Sequence, residues 1–266
     1  MTTTWNPADK SGLITLSGGN LTATQTTTPG TWGAVRSTGG LGYINTQKLY
    51  AECQFASPNI STVGRWDFGL ANASANLSQP MGGADAFGVG FIAFNGNIYY
   101  GGGGSSTALF GIVWHPGDWL GLAVDLAAKL LWMKNITQAT AWNPLLVGTQ
   151  DPGTGAGGWP IPATVINGTS EILLAWASEY LGSVPDIGVL NVGATPFAGA
   201  IPTGFMAWDS SFTPAVALPF RRQQFLETVE PEPSEELLFT LQRRQLGSGF
   251  IPPVTPFIRP YLNVNI

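Results

Sequence analysis

The amino-acid sequence predicts an all-β chain: an antiparallel two-sheet sandwich followed by an extended, partly helical C-terminal arm. Three observations carry this. Short runs with apolar residues at alternate positions recur over the first four-fifths of the chain, which is the spacing of half-buried strands. Turn formers are abundant, with 35 Gly and 20 Pro in 266 residues, while charged residues make up only 10 %. The Glu/Lys-rich surface that exposed helices carry is therefore missing. The last fifth then changes character, with arginines, glutamates and prolines gathered together. A hydrophobic content of 44 % and 10 Trp argue against disorder over most of the length.

The strands follow in order. GLITLSGG and NLTATQT come first, then GAVRSTG, KLYAECQF and RWDFGLAN. In KLYAECQF the single cysteine, Cys53, sits in an alternating run and reads as a small core residue. Being single, it excludes an internal disulfide and a cysteine-based zinc site. FGVGFIAF and GNIYYGG are next, their glycines suited to bulges and close backbone approach.

Residues 117–135, GDWLGLAVDLAAKLLWMKN, are mostly apolar and about the length of a membrane-spanning helix. Asp125 and Lys129 stand in the middle, where lipid penalises charge heavily. Read with a period of two, Leu120, Leu122, Val124 and Leu126 share one face, and Trp119, Gly121, Ala123 and Asp125 the other. Leu130, Trp132 and Lys134 then alternate with Leu131 and Met133. The segment reads as an antiparallel hairpin. Its turn is looser than two residues, because Ala127 and Ala128 supply no easy positive φ. EILLAWASEY and IGVLNVG complete the set.

Three loops are long for a compact domain: residues 73–86, 101–108 and 143–165. Such loops tend to bind something or to move. GGGGSS at 101–106 has the look of a phosphate cradle, but neither a Lys-Ser/Thr pair nor a helix signal follows. It reads as a flexible turn.

The boundary between the sandwich and the rest falls near residue 210, giving a domain over 1–210 and a linker, short helix and arm over 211–266. Ser234 can cap a helix with Glu235 and Glu236 at its positive end, Arg243 and Arg244 at its negative end, and Gly247 just beyond. LLFTLQ within it fits a strand as well. GFIPPVTPFIRPYLNVNI interleaves prolines with large apolar residues. It cannot be helical, and alone it has little to pack against. Phe250, Ile251, Phe257, Ile258, Tyr261 and Ile266 are the residues expected to anchor this arm on a partner surface.

The order of motifs resembles the SPRY (B30.2-like) family in its bacterial and bacteriophage form. WNPADKSGLITLSGGNLTAT resembles the family's start, and KLYAECQF and WDFGLAN two of its strands. FGVGFIAFNGNIYYGG resembles the strand pair before the central loop. GDWLGLAVDLAAKLLWMKN carries the pattern "GD-hydrophobic-G…D…L-W", and LNVGATPFAGAIPTGFMAWD the closing strand with its "Pro-x-Gly-Phe" end. The likeness spans about residues 5–210. It departs from the family at Ala127-Ala128, at Ile136 and in a Gly- and Pro-rich insert at 151–162. It implies a bent sandwich of the SPRY/concanavalin A-like kind, and a binding module whose contacts come from variable loops at one end.

Several chemistries are disfavoured. A net charge of −5 and a pI near 4.7 speak against nucleic acid as a partner, and no cluster of Lys and Arg precedes residue 220. His115, in WHPGDW, is the sole histidine and reads as a turn residue; no GxSxG elbow frames any serine. Paired carboxylates could serve a glycosidase, and Asp67, Asp85, Asp118, Asp125, Asp151 and Glu179 are available. Metal-ligand spacing is absent, and no cofactor is expected. Trp114, Trp119, Trp132 and Trp176 sit in alternating apolar runs and read as core. Trp66, Trp142 and Trp159 lie near loops and are the candidate ligand-binding residues.

The expectation is a non-enzymatic structural protein of a bacteriophage virion, in the capsid (decoration or fibre) or the tail. It would display a SPRY-like binding module and be held by its arm to other virion proteins or to copies of itself. MTTTWNPADK does not read as a signal peptide, so synthesis in the host cytoplasm without membrane insertion is expected. The alternative is a lectin-like module for a host glycan or receptor; a polysaccharide hydrolase ranks third.

Overall fold

The computed structural model describes residues 2–39, 47–57, 65–166, 171–181 and 184–209. The arm, with Phe250, Ile251, Phe257, Ile258, Tyr261 and Ile266, lies outside the described residues. The chain runs through β1 (Trp5–Lys10), β2 (Ile14–Ser17), β3 (Thr22–Gln25), β4 (Thr31–Ser37) and β5 (Lys48–Phe55). It continues through β6 (Arg65–Ala71), β7 (Gly88–Ile92), β8 (Asn97–Tyr100), β9 (Ser106–Ala108) and β10 (Trp119–Asp125). β11 (Leu130–Asn135), β12 (Trp159–Pro160), β13 (Leu173–Tyr180), β14 (Asp186–Asn191) and β15 (Met206–Ala207) complete it.

These strands form two sheets. The first has the order β1-β4-β13-β6-β7-β8-β9, the second β12-β11-β10-β5-β14-β3-β2. Pairing is antiparallel except for β15, which lies parallel to β5 at Leu49 and Tyr50, beyond the part of β5 that β14 covers. The expected sandwich is what forms. β1 was not legible as a strand because it is polar and contains Pro7. It tolerates the proline as an edge strand, and its register on β4 shifts between Trp5 and Lys10.

The hairpin of residues 117–135 is β10 and β11, in register from Leu120 opposite Asn135 to Asp125 opposite Leu130. Its four-residue connection takes its left-handed residue from Lys129, at φ 57°, and not from either alanine. Asp125 holds the turn, accepting the Ala128 N–H at 2.8 Å and pairing with Lys48 at 3.2 Å. Leu120, Leu122 and Val124 face inward, with Leu131 and Met133 of β11 and Leu49, Ala51, Cys53 and Phe55 of β5. From the opposite sheet come Trp66, Phe68, Leu70, Val89, Phe91, Leu174 and Trp176. Burial of this apolar surface, at roughly 25 cal/mol per Å², is the main stabilising term. Cys53 is buried there, as its alternation implied, and desolvation pushes its thiol pKa upward.

Both outer faces carry a strap of chain. On the first sheet the outward residues Ala34, Ala71, Ala175 and Ala177 are small, so Ala75 and Met81 lie close against them. The long loop at 73–86, expected to bind something or to move, is thus partly buried. Arg36 clamps it: Nη1 donates to the carbonyls of Asn72 (3.0 Å) and Ala75 (2.7 Å), while Nε and Nη2 bind both oxygens of Asp9. The GGGG turn joins β8 to β9 with all four glycines at positive φ, from 63° to 77°, a path costly for other residues. Across the second sheet, Phe197 and Phe205 of a second strap pack on Tyr50, Ala123 and Trp132.

One buried acid gives the fold a pH dependence. Burial pushes Asp186 up from an ordinary 3.8 to about 6, against the opposing hydrogen bond from the Ser178 hydroxyl. Because the folded value is raised, the native state holds an extra proton between these limits. The associated stability is fully present below about pH 4 and is lost as pH rises through about 6. Asp186→Asn, which stays neutral, should gain on the order of 1–3 kcal/mol relative to wild type between pH 4 and pH 7. Denaturation midpoints across that range check this; a difference independent of pH would contradict it.

Candidate functional site

The outward side chains of β11 alternate with its core residues, so Trp132 and Lys134 point away from the sandwich interior. Above them lies a cleft of about 530 Å³ with three walls, within the ~300–1,000 Å³ of small-ligand pockets. The first wall is Ile136, Ala139 and Trp142, from the segment after β11. Asn143 fixes it by imitating a strand neighbour. Its Oδ1 accepts the Met133 N–H at 2.8 Å, its own N–H donates to the Met133 carbonyl at 2.8 Å, and its Nδ2 donates to Leu131 O at 3.2 Å. Thr140 exchanges two further bonds with Asn135, each at 3.1 Å.

The second wall is Asp151, Gly153 and Thr154. This Gly-rich insert was expected as structureless loop but forms a compact turn. Asp151 and Ala156 exchange backbone bonds at 3.0 Å, and the Trp132 indole N–H donates to the Ala156 carbonyl at 3.0 Å. Gly158, at φ 96°, lets the chain pass over that indole: a Cβ there would come within 2.8 Å of the ring. The Asp151 carboxylate is locked by the Gly153 N–H at 2.8 Å and the Thr154 hydroxyl at 3.1 Å.

The third wall is residues 199–203, held from beneath by Glu52. Glu52 is fully buried and accepts the N–H groups of Ala198 and Gly199, both at 2.8 Å, and the Tyr50 hydroxyl at 2.8 Å. Burial, then the neighbouring Glu52 charge and hydrogen bond, push the Tyr50 phenol upward, which keeps it a donor. Lys134 and Asp151 are the two ionisable side chains in the lining. The Lys134 ammonium lies 5.8 Å from the centre of the Trp142 ring, which Tyr50 meets edge-on at 6.5 Å.

Of the three tryptophans expected to bind, only Trp142 lines this cleft. Trp66 is a core residue instead: fully buried, it stacks on Phe55 at 4.9 Å and meets Phe91 and Trp114 edge-on. Its position two residues before Phe68, in the alternation of β6, places it on the inward face. Trp159 is half-buried against the main core, its ring 4.9 Å from Tyr100, and does not reach the cleft. Among the tryptophans expected in the core, Trp114, Trp132 and Trp176 are buried, and Trp119 is half-exposed.

Five of the six candidate carboxylates serve the fold. Asp118 binds the His115 N–H (2.8 Å), Asn135 (3.0 Å) and Gln138 (2.6 Å) at the strand ends, while the His115 side chain is exposed. Asp125 and Glu179 pair with Lys48 and Arg65, and Asp85 caps Asn76 and Phe87. Asp67 is sealed under the first strap, its pKa raised well above the carboxylate range by burial against the opposing Met81 N–H. Asp151 alone lines the cleft, so the cleft lining lacks the carboxylate pair of a glycosidase. Among the described residues no group of three or more potential metal ligands comes together.

No protein-family model and no curated protein matches the chain. Solved structures do. The SPRY domain of human HERC1 matches at a TM-score of 0.50 and 10 % identity, covering 72 % of this chain and 99 % of that one. A human SPRY domain matches at a TM-score of 0.46 and 17 % identity, covering 70 % of this chain and all of the other. The likeness to the HERC1 domain shows that the fold is SPRY-like.

Proposed function

We propose that the chain acts by binding rather than catalysis, as a structural protein of a bacteriophage particle. Residues 1–210 form its displayed SPRY-like module, and residues 211–266 tie it to neighbouring subunits. The observation that carries the binding reading is the cleft itself. Its walls are immobilised by Asn143, Trp132 and Glu52, and its lining offers an aromatic ring, hydroxyls, one ammonium and one carboxylate. That supplies recognition, but not the second acid–base group that hydrolysis needs. The virion reading is supported by the phage-type resemblance of the motifs and by the apolar, proline-studded end, whose restricted φ lowers the cost of ordering against a partner.

Deleting residues 247–266 should leave a folded, soluble sandwich that no longer incorporates into particles. Normal incorporation, measured by particle sedimentation and composition, refutes the anchoring role of Phe250, Ile251, Phe257, Ile258, Tyr261 and Ile266. A second reading, favoured by Trp142 in the cleft, is a lectin-like module that recognises a host-surface glycan or receptor. The two are compatible in one particle protein that is anchored by its end and binds through its sandwich.

A further inference from the structure

We infer that the cleft over β11 is a saccharide subsite that takes a neutral pyranose ring, with Trp142 as its stacking face and Lys134 and Asp151 as its polar contacts. This rests on the binding reading above and assigns it a ligand class.

The chemistry of the lining carries the inference. A pyranose has apolar C–H faces and a rim of hydroxyls that both donate and accept. Trp142 offers the ring for the first. Lys134 makes no ion pair among the described residues, and its ammonium meets the Trp142 ring only at 5.8 Å from the centre, a long contact that a stacked ligand can displace while the three donors turn to its hydroxyls. Asp151 is the complementary acceptor. Each of its oxygens takes one internal bond, and a carboxylate has about four acceptor positions, so capacity remains for ligand hydroxyls. The two internal bonds orient the group before anything arrives, which lowers the cost of binding.

Charge selects against acidic sugars. Lys134 and Asp151 balance within the lining, and the protein as a whole carries −5. A uronic or sialic acid would gain from the lysine but meet the aspartate and the negative field. A peptide is the main competing occupant, and the site lacks what an extended peptide uses. β-strand addition needs a free sheet edge, and the edge of β11 is occupied by β12 at Leu130 and Leu131, then by Asn143 and Thr140. Recognition therefore falls to side chains.

The test is calorimetric titration of the full-length protein with neutral gluco-, galacto- and manno-configured trisaccharides, and with uronic-acid trisaccharides. At least one neutral trisaccharide should bind, and more tightly than its acidic counterpart. Trp142→Ala should weaken it at least tenfold, Trp142→Phe should restore most of the affinity, and Lys134→Met and Asp151→Asn should each weaken it severalfold. All variants should stay folded, with melting midpoints lowered far less than that of a core truncation, because Trp142 packs only in part on Tyr50 and Asp151 makes two local bonds. The inference fails if no neutral trisaccharide binds, if the acidic ones bind more tightly, or if Trp142→Ala binds as wild type does. It fails equally if a screened peptide, and no sugar, depends on Trp142 and Lys134. Particle incorporation of Trp142→Ala, read separately, should stay normal. A loss of sugar binding with normal incorporation confirms the subsite, whereas a wild-type protein that binds sugar but never enters particles overturns the virion reading alone.

Discussion

Replacing Arg36 with methionine should lower unfolding stability by about 3–5 kcal/mol, the usual range for breaking a buried charged pair from one side. Methionine keeps much of the apolar stem but removes four hydrogen bonds at once, two to Asp9 and two to the carbonyls of Asn72 and Ala75. The Arg36 side chain is 7 % exposed and that of Asp9 27 %. Water can therefore repay Asp9 in part, and the Asn72 carbonyl keeps the Ala75 N–H at 3.1 Å, while the carbonyl of buried Ala75 is left as an orphaned acceptor. The strap should loosen along with the global loss. A guanidinium denaturation midpoint measures the first effect, and limited proteolysis within residues 73–86 the second. A loss below about 1 kcal/mol would mean that the strap holds by packing alone.

Trp66→Ala should be comparably damaging, costing about 3–5 kcal/mol through the cavity it opens among Phe55, Phe91 and Trp114. The contrast with Trp142→Ala is the informative part. The first should unfold the protein at much lower denaturant without touching the cleft, and the second, which removes only a half-buried outer-face contact, should lower the midpoint little. If Trp66→Ala proved mild in denaturation yet removed ligand binding, the division between core and site drawn here would be wrong.

Those two tryptophans also show how far the sequence could be read. Period-two alternation placed Leu120, Leu122 and Val124 on the inner face because a strand's side chains switch sides at every residue. The same rule, applied to Trp66-Phe68-Leu70, was enough to bury Trp66; nearness to a loop was the weaker signal. β1 escaped because its pairing rests on backbone bonds at a sheet edge, where Pro7 and polar residues are tolerated. The cleft was legible only through Trp142 and through Asp151, one of six scattered candidate carboxylates. Lys134, Asp151 and residues 199–203 are brought together by strand order, and Glu52 holds the third wall from another strand altogether. No local pattern encodes such a meeting.

The lone thiol in the middle of the sandwich makes the protein its own gauge of opening. Cys53 is sealed and protonated while the sheets are closed, and thiol reagents need an exposed thiolate. Alkylation rate therefore counts the moments when the two layers part, without any added dye or tag. In the regime where reclosing outpaces labelling, that rate follows the equilibrium opening, so an Arg36→Met chain should react roughly two to four orders of magnitude faster than its parent.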